Sequence, residues 1–144
     1  MAKQENHYTT TLVIDTALPE TVVMLVKDTQ LLGSVMSGQV RRADNLLELV
    51  SEVLANAQQT LVDLDAIIVR RGLGSYTGLR IGVTTANALA WSLNIPIFGA
   101  ELTEQRSLNL EDVMDYDFSS PQSTVVPKYG SWHDGLDSAK IFKK

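Results

Sequence analysis

Residues 71–93 read RGLGSYTGLRIGVTTANALAWSL, and this stretch decides how the rest of the chain is to be folded. A strand ends in Gly-x-Gly and a helix over residues 77–93 begins within a few positions. Gly72 and Gly74 permit positive φ and close backbone approach, while Ser75 or Thr77 can accept from the free amides of the helix start. Such amides can also hold an anion. The spacing Gly-x-Gly-x-x-x-Gly is not the Gly-x-Gly-x-x-Gly of dinucleotide sites, and no Lys-Ser or Lys-Thr follows as in a P-loop. Along the helix Gly78, Gly82, Ala86 and Ala90 recur every four residues. That stripe of very small side chains lets another backbone come close. The neighbour is either the other long helix of the same chain or a partner's helix, with Leu79, Val83 and Trp91 beside the stripe. The residues alone leave both open.

Upstream, residues 11–16 (TLVIDT) and 21–26 (TVVMLV) are short, branched and apolar, as buried strands are. A third run, 31–36, is interrupted by Gly33. Together they predict a three-stranded antiparallel opening. From 44 to 57 the spacing becomes helical: Leu46, Leu47, Val50, Val53, Leu54 and Ala57 share a face, and Asp44 or Asn45 caps the start. Leu49 lies outside that face and widens the apolar arc. It is either a lone exposed leucine or a sign that the helix touches more than its own sheet. Residues 65–69 (DAIIV) predict a buried strand before the glycine turn, and 95–98 (IPIF) another after the helix. Three antiparallel strands followed by two parallel crossovers, with helices on the faces of a mixed sheet, match the ribonuclease H-like α/β layout. Beyond 101 the pattern weakens: Leu108, Leu110, Val113 and Met114 predict one weak helix and 124–126 a short edge strand.

The 144 residues leave room for one domain. With 44% hydrophobic and 20% charged residues the composition is that of a soluble globular protein, and the apolar runs are too short for a membrane span. The opening MAKQENHYTT is polar and unlike a signal peptide, so the cytoplasm is the expected compartment. Without cysteine there is no disulfide, thiolate nucleophile or Cys-ligated metal, and His7 and His133 form no metal-ligand pair. A formal charge of −5 argues against this chain gripping RNA directly.

Residues 72–90, GLGSYTGLRIGVTTANALA, resemble the Gly-Pro-Gly-Ser-Phe-Thr-Gly-Leu-Arg-Ile-Gly segment of the TsaB/YeaZ family. The opening strand with Ile14-Asp15-Thr16, the helix with Leu46-Leu47, and 61–69 (LVDLDAIIV) agree with that family in order and spacing. The resemblance covers about residues 10–100. It implies an actin-like ATPase superfamily member with a degenerate nucleotide site. The implied work is to bind a catalytic relative, TsaD, which threonylcarbamoylates the tRNA adenosine beside the anticodon, with the ATPase TsaE joining the assembly. The chain itself would then carry no catalytic residue, metal or cofactor; ATP and metal belong to its partners, and tRNA is met only indirectly. Leu73 stands for the family's proline, Tyr76 for its phenylalanine, and Arg42-Ala43 for its usual His-Ser.

The resemblance implies a helical bundle with TsaD or with a second copy. The interface residues it suggests are Leu46, Leu49, Val50 and Val53 on the first helix and Gly78, Leu79, Gly82, Val83, Ala86 and Ala90 on the second. Asp15, Thr16, Gly72, Gly74 and Ser75 would be a vestigial phosphate or anion contact. The expected organisation is a flexible 1–9, a lobe over 10–100, and a remnant or poorly ordered extension over 101–144, in which Val125 to Gly130 (VVPKYG) resembles the family's late Pro-x-Tyr. The family's second lobe would be mostly lacking. Two other functions stay open: a self-associating homodimer using the same helical face, and an ATPase using Asp15 with the turn over 72–78.

Overall fold

Every residue of TTLVID is buried, and this segment forms the central strand β1 (Thr10–Asp15) of a five-stranded sheet. The computed structural model describes residues 8–38 and 42–129. Strand β2 (Thr21–Lys27) pairs antiparallel with β1, and β3 (Gln30–Ser37) antiparallel with β2. The β2–β3 register slips between Leu25, paired with Gly33, and Val26, paired with Leu31, so Leu32 is the extra residue of a bulge. Helix α1 (Arg42–Asn56) leads back to β4 (Ala66–Gly72), which lies parallel to β1. Helix α2 (Tyr76–Leu93) then crosses to β5 (Ile97–Glu101), parallel to β4. The strand order β3-β2-β1-β4-β5 is the ribonuclease H-like arrangement expected from the sequence.

Alternation along the strands assigns two cores. Leu12, Ile14, Val23, Leu25, Ile67, Val69 and Ile97 face α1 and α2, which lie on the same side of the sheet and touch each other. Val13, Val22, Met24, Ala66, Ile68, Phe98 and Ala100 face the other way. That second face is closed by Leu108, the short helix α3 (Leu110–Met114), and an aromatic cluster. Tyr8, Phe98, Tyr116 and Phe118 meet edge-on or tilted at 5.0 to 5.8 Å, the geometry aromatic rings favour.

Several expectations shift. In α1 the buried face is Leu46, Leu49, Val50, Val53 and Leu54, whereas Leu47 is 58% exposed. The spacing i, i+3, i+4, i+7 from Leu46 selects Leu49 and excludes Leu47. Helix α1 already begins at Arg42, so Asn45 is not its cap; its amide instead donates to Ser37 Oγ at 2.8 Å. The side chains of Arg42, Ala43 and Asp44 lie outside the described residues. Strand β5 starts later than position 95, because Asn94 adopts φ 57 and Ile95 N donates to Ala90 O at 3.0 Å to close α2.

Residues 124–126 form no strand. The backbone of Val125 is taken at both ends by the Asn87 amide, which donates to its carbonyl at 2.8 Å and accepts from its N–H at 2.9 Å. On either side of it, Gln122 bridges to Ile97 and Lys128 N donates to Arg71 O at 2.7 Å. Nor does packing divide at residue 100, since 102–118 supplies the lid of the second core. Of the expected flexible 1–9, Tyr8 packs on Phe98 and Thr9 O accepts from Asp28 N at 2.8 Å. Residues 1–7 and 130–144 lie outside the described residues, and with them His7, His133, Gly130 and the expectation for the chain's end.

The small-residue stripe of α2 faces this chain's own sheet. Gly78, Gly82, Ala86 and Ala90 are all buried. A Cβ on Gly78 would overlap the Thr16 carbonyl oxygen, and one on Gly82 the Thr16 hydroxyl. Gly82→Ala should therefore destabilise the fold by about 1–3 kcal/mol through overpacking. Thr84→Ala on the exposed side should stay within about 0.5 kcal/mol of wild type. Urea midpoints measure both, and equal midpoints would refute the close approach.

Candidate functional site at the strand-to-helix turn

The end of β1 and the turn after β4 come together because the parallel register Ile14 to Val69 sets Asp15 beside Arg70 and Thr16 beneath α2. Ser75 caps α2, its hydroxyl accepting from Gly78 N at 3.1 Å. The Thr16 hydroxyl donates to the Gly78 carbonyl, and Ser75 N donates to Ala17 O at 3.3 Å. A Cβ on Gly74 would lie 2.8 Å from Ala17 Cα, and one on Gly72 would lie 2.9 Å from Lys128 O, so both glycines are needed for backbone approach. Leu73 and Leu102 exchange backbone bonds with the turn: Leu73 N to Leu102 O at 3.2 Å and Leu102 N to Gly72 O at 2.9 Å. The amides of Leu73, Ser75 and Gly78 are thus committed within the chain.

Asp15 is 2% exposed and its carboxylate is engaged three ways. Its Oδ2 accepts from Arg70 Nη1 at 3.1 Å and from Leu108 N at 2.8 Å, and its Oδ1 from Ala17 N at 3.0 Å. Arg70, wholly buried, also donates from Nη2 to Leu102 O and Glu104 O, each at 3.1 Å, and from Nη1 to the Arg106 carbonyl. One buried ion pair thereby gathers the carbonyls of 102–106 under the sheet.

The network continues outward. Arg106 donates to Asp112 at 2.8 and 3.1 Å, and Asp112 accepts from Asn109 N at 2.7 Å to complete the capping box of α3. The Arg106 guanidinium holds the Asp112 carboxyl below its usual range, burial opposing, and Asp112 and Glu104 hold the Arg106 guanidinium protonated. Lys128, with Arg71, does the same for Glu101.

The anion-contact residues Asp15, Thr16, Gly72, Gly74 and Ser75 are therefore gathered at one place, but their polar groups serve each other and residues 102–108. The ten residues expected at a partner interface behave similarly. Leu46, Leu49, Val50, Val53, Leu79 and Val83 are buried in the lobe with the four stripe residues, so these side chains face inward. The surface left on the two helices is made of others: Leu47, Glu48, Ser51 and Glu52 on α1, and Tyr76, Thr77, Arg80, Ile81, Thr84 and Thr85 along a groove of α2. Trp91 is 84% exposed on the same helix. Arg70 and Asn87 escaped the sequence reading. Alternation along AIIVR puts Arg70 on the Ile68 side, a signal for a buried arginine, whereas nothing local marks Asn87. Among the described residues there is no group of three or more His, Cys, Asp or Glu able to hold a metal, and no helix is long and apolar enough to cross a membrane.

A family model described as TsaD, tRNA N6-adenosine threonylcarbamoyltransferase, matches residues 39–105. An uncharacterized protein of Mycobacterium tuberculosis strain H37Rv is 40% identical over 93 residues, 62% of this chain and 44% of that protein. The tRNA threonylcarbamoyladenosine biosynthesis protein TsaB of Bacillus subtilis is 36% identical over 88 residues, 61% of this chain and 38% of that protein. The solved structure of YeaZ from Pseudomonas aeruginosa superposes with a TM-score of 0.60 at 30% identity, over 65% of this chain and 43% of that one. The chain thus spans less than half the length of these relatives. Its sheet order and its glycine turn define a single ribonuclease H-like lobe of the actin-like class. Over 61–65% of its length the chain is similar to these TsaB and YeaZ proteins.

Removing Arg70 while Asp15 stays buried should be costly: Arg70→Ala is expected to lose about 3–5 kcal/mol of stability in urea titrations, and a loss below 1 kcal/mol would deny the pair its central place. Because Asp112 has a depressed folded pKa, its contribution is complete above the unfolded value of about 3.9 and is lost as pH falls through the lower folded value. In Arg106→Gln the acid loss of the near-UV signal from Tyr116 and Phe118 should move to higher pH. An unshifted acid limb would remove Arg106 from this role.

Proposed function

We propose that the chain serves tRNA threonylcarbamoyladenosine biosynthesis in the cytoplasm as a non-catalytic subunit that binds a TsaD-type partner through the outer sides of α1 and α2. One observation carries the reading. The inner sides of both helices are consumed by their own sheet, yet their outer sides leave Leu47, Tyr76 and Trp91 at 58%, 56% and 84% exposure on adjoining helices. Large apolar and aromatic groups on the surface are the usual anchors of protein interfaces. The match of residues 39–105 to a TsaD model supports the pairing, since two chains sharing this lobe can oppose like helices about a pseudo-two-fold axis.

TsaE joins the assembly in this reading, ATP and metal are held by the partners, and tRNA is reached through them. Two features favour it over an ATPase. The Asp15 carboxylate is filled by Arg70, Leu108 and Ala17, and the net charge of −5 is unsuited to phosphate capture.

The test uses the full chain co-expressed with the TsaD-type protein of its own genome. Leu47→Glu combined with Thr84→Arg should weaken association more than about tenfold, or 1.4 kcal/mol, with the circular dichroism unchanged because both sites are exposed. Undiminished co-purification of the double variant would defeat the proposal, as would a homodimer of the wild type that persists beside excess TsaD-type protein.

A further inference from the structure

The outer edge of β5 borders a cavity of about 210 Å³ lined by Arg71, Gly99, Tyr116, Ser120, Gln122 and Thr124. It is smaller than the roughly 300–1,000 Å³ of sites for drug-sized ligands. Its origin is a broken pairing. Ile97 exchanges both backbone bonds with Gln122, N to O at 3.0 Å and O from N at 3.3 Å. Groups two residues apart on a strand point the same way, so the N–H and C=O of Gly99 face this edge too. In that antiparallel register Ser120 would stand opposite Gly99, but no backbone bond joins the two. The Gly99 carbonyl accepts from the Tyr116 hydroxyl at 2.7 Å, while its N–H meets no acceptor among the described residues.

Arg71 crosses directly over Gly99, its Cδ within 2.5 Å of where a side chain of residue 99 would begin. The guanidinium is pinned from behind: Nε donates to Val126 O at 2.8 Å and Nη1 to Glu101 at 2.6 Å. Nη2 bonds to no described residue, nor do the side chains of Ser120, Gln122 and Thr124. Lys128 also bonds Glu101, at 3.1 Å, so the trio of Arg71, Lys128 and Glu101 keeps one positive charge. Asp117, the acid that follows Tyr116, has its carboxylate occupied by Ser119 N at 2.9 Å.

We infer that this cleft binds a small polar carboxylate, whose oxygens accept from the Gly99 N–H and Arg71 Nη2 while its hydroxyl or amide groups meet Ser120, Gln122 and Thr124. A fixed guanidinium beside a free backbone N–H is a geometry suited to a carboxylate. The site lies at the sheet edge formed by β5, and it stands or falls independently of the tRNA reading.

The experiment is a titration of the isotopically labelled full chain with sodium glycolate, read at the Gly99 amide by NMR, with sodium chloride at matched ionic strength as control. A saturable shift with glycolate and none with chloride is expected. Arg71→Gln should weaken half-saturation about tenfold or more, as for one charge-assisted hydrogen bond. Thr124→Val, at an exposed position that leaves the fold intact, should weaken it measurably and serves if Arg71→Gln does not fold. A Gly99 shift that fails to saturate, that chloride reproduces, or that survives undiminished in the folded variants overturns the site.

Discussion

The approach of α2 to the three residues that end β1 is the contact on which the rest of this lobe depends. Asp15, Thr16 and Ala17 occupy successive positions, and each is claimed by a different part of the chain. Asp15 is taken by Arg70 and Leu108, the Thr16 hydroxyl by the Gly78 carbonyl, and the Ala17 carbonyl by Ser75. Glycine at 74, 78 and 82 is what allows the backbones so close. Once α2 is seated there, β4 and β5 follow in parallel register, and α1 takes the remaining width of the same face.

The Asp15–Arg70 pair shows why burial alone does not explain stability. Two charges removed from water rarely repay their desolvation by mutual attraction, and they are sustained here by hydrogen bonds on both sides. Arg70 meets the carbonyls of Leu102, Glu104 and Arg106, and Asp15 meets two backbone amides. The pair thereby converts a polar segment into the lid of an apolar core, with Leu108 and Val113 completing it.

Much of the architecture was legible in the chain. Branched runs gave β1 and β2 to within one residue and the start of β4, though not its last three residues, since burial on both faces makes such strands continuous apolar runs. The turn and the start of α2 followed from Gly72, Gly74 and Ser75. Less was legible where a side chain intervened from far away. Residues 124–126 have strand composition, but Asn87, 38 positions earlier, captures Val125. Leu47 and Leu49 exchanged roles because the two residue steps between them turn the helix by about 200°, which places them on opposite sides.

By itself, then, the sequence determined the order and kind of the elements, the glycine turn, and the likeness to a family, because these rest on local periodicity and on residues whose backbone freedom is intrinsic. Only the tertiary structure decided what the small-residue stripe and Asp15 are for. A stripe of Gly and Ala invites close packing without saying by what, and a buried carboxylate invites a cation without saying which. Both were answered by positions distant along the chain, Thr16 for Gly78 and Gly82, and Arg70 for Asp15. Parallel strands bring such positions together through a register that the pattern of either strand alone does not encode.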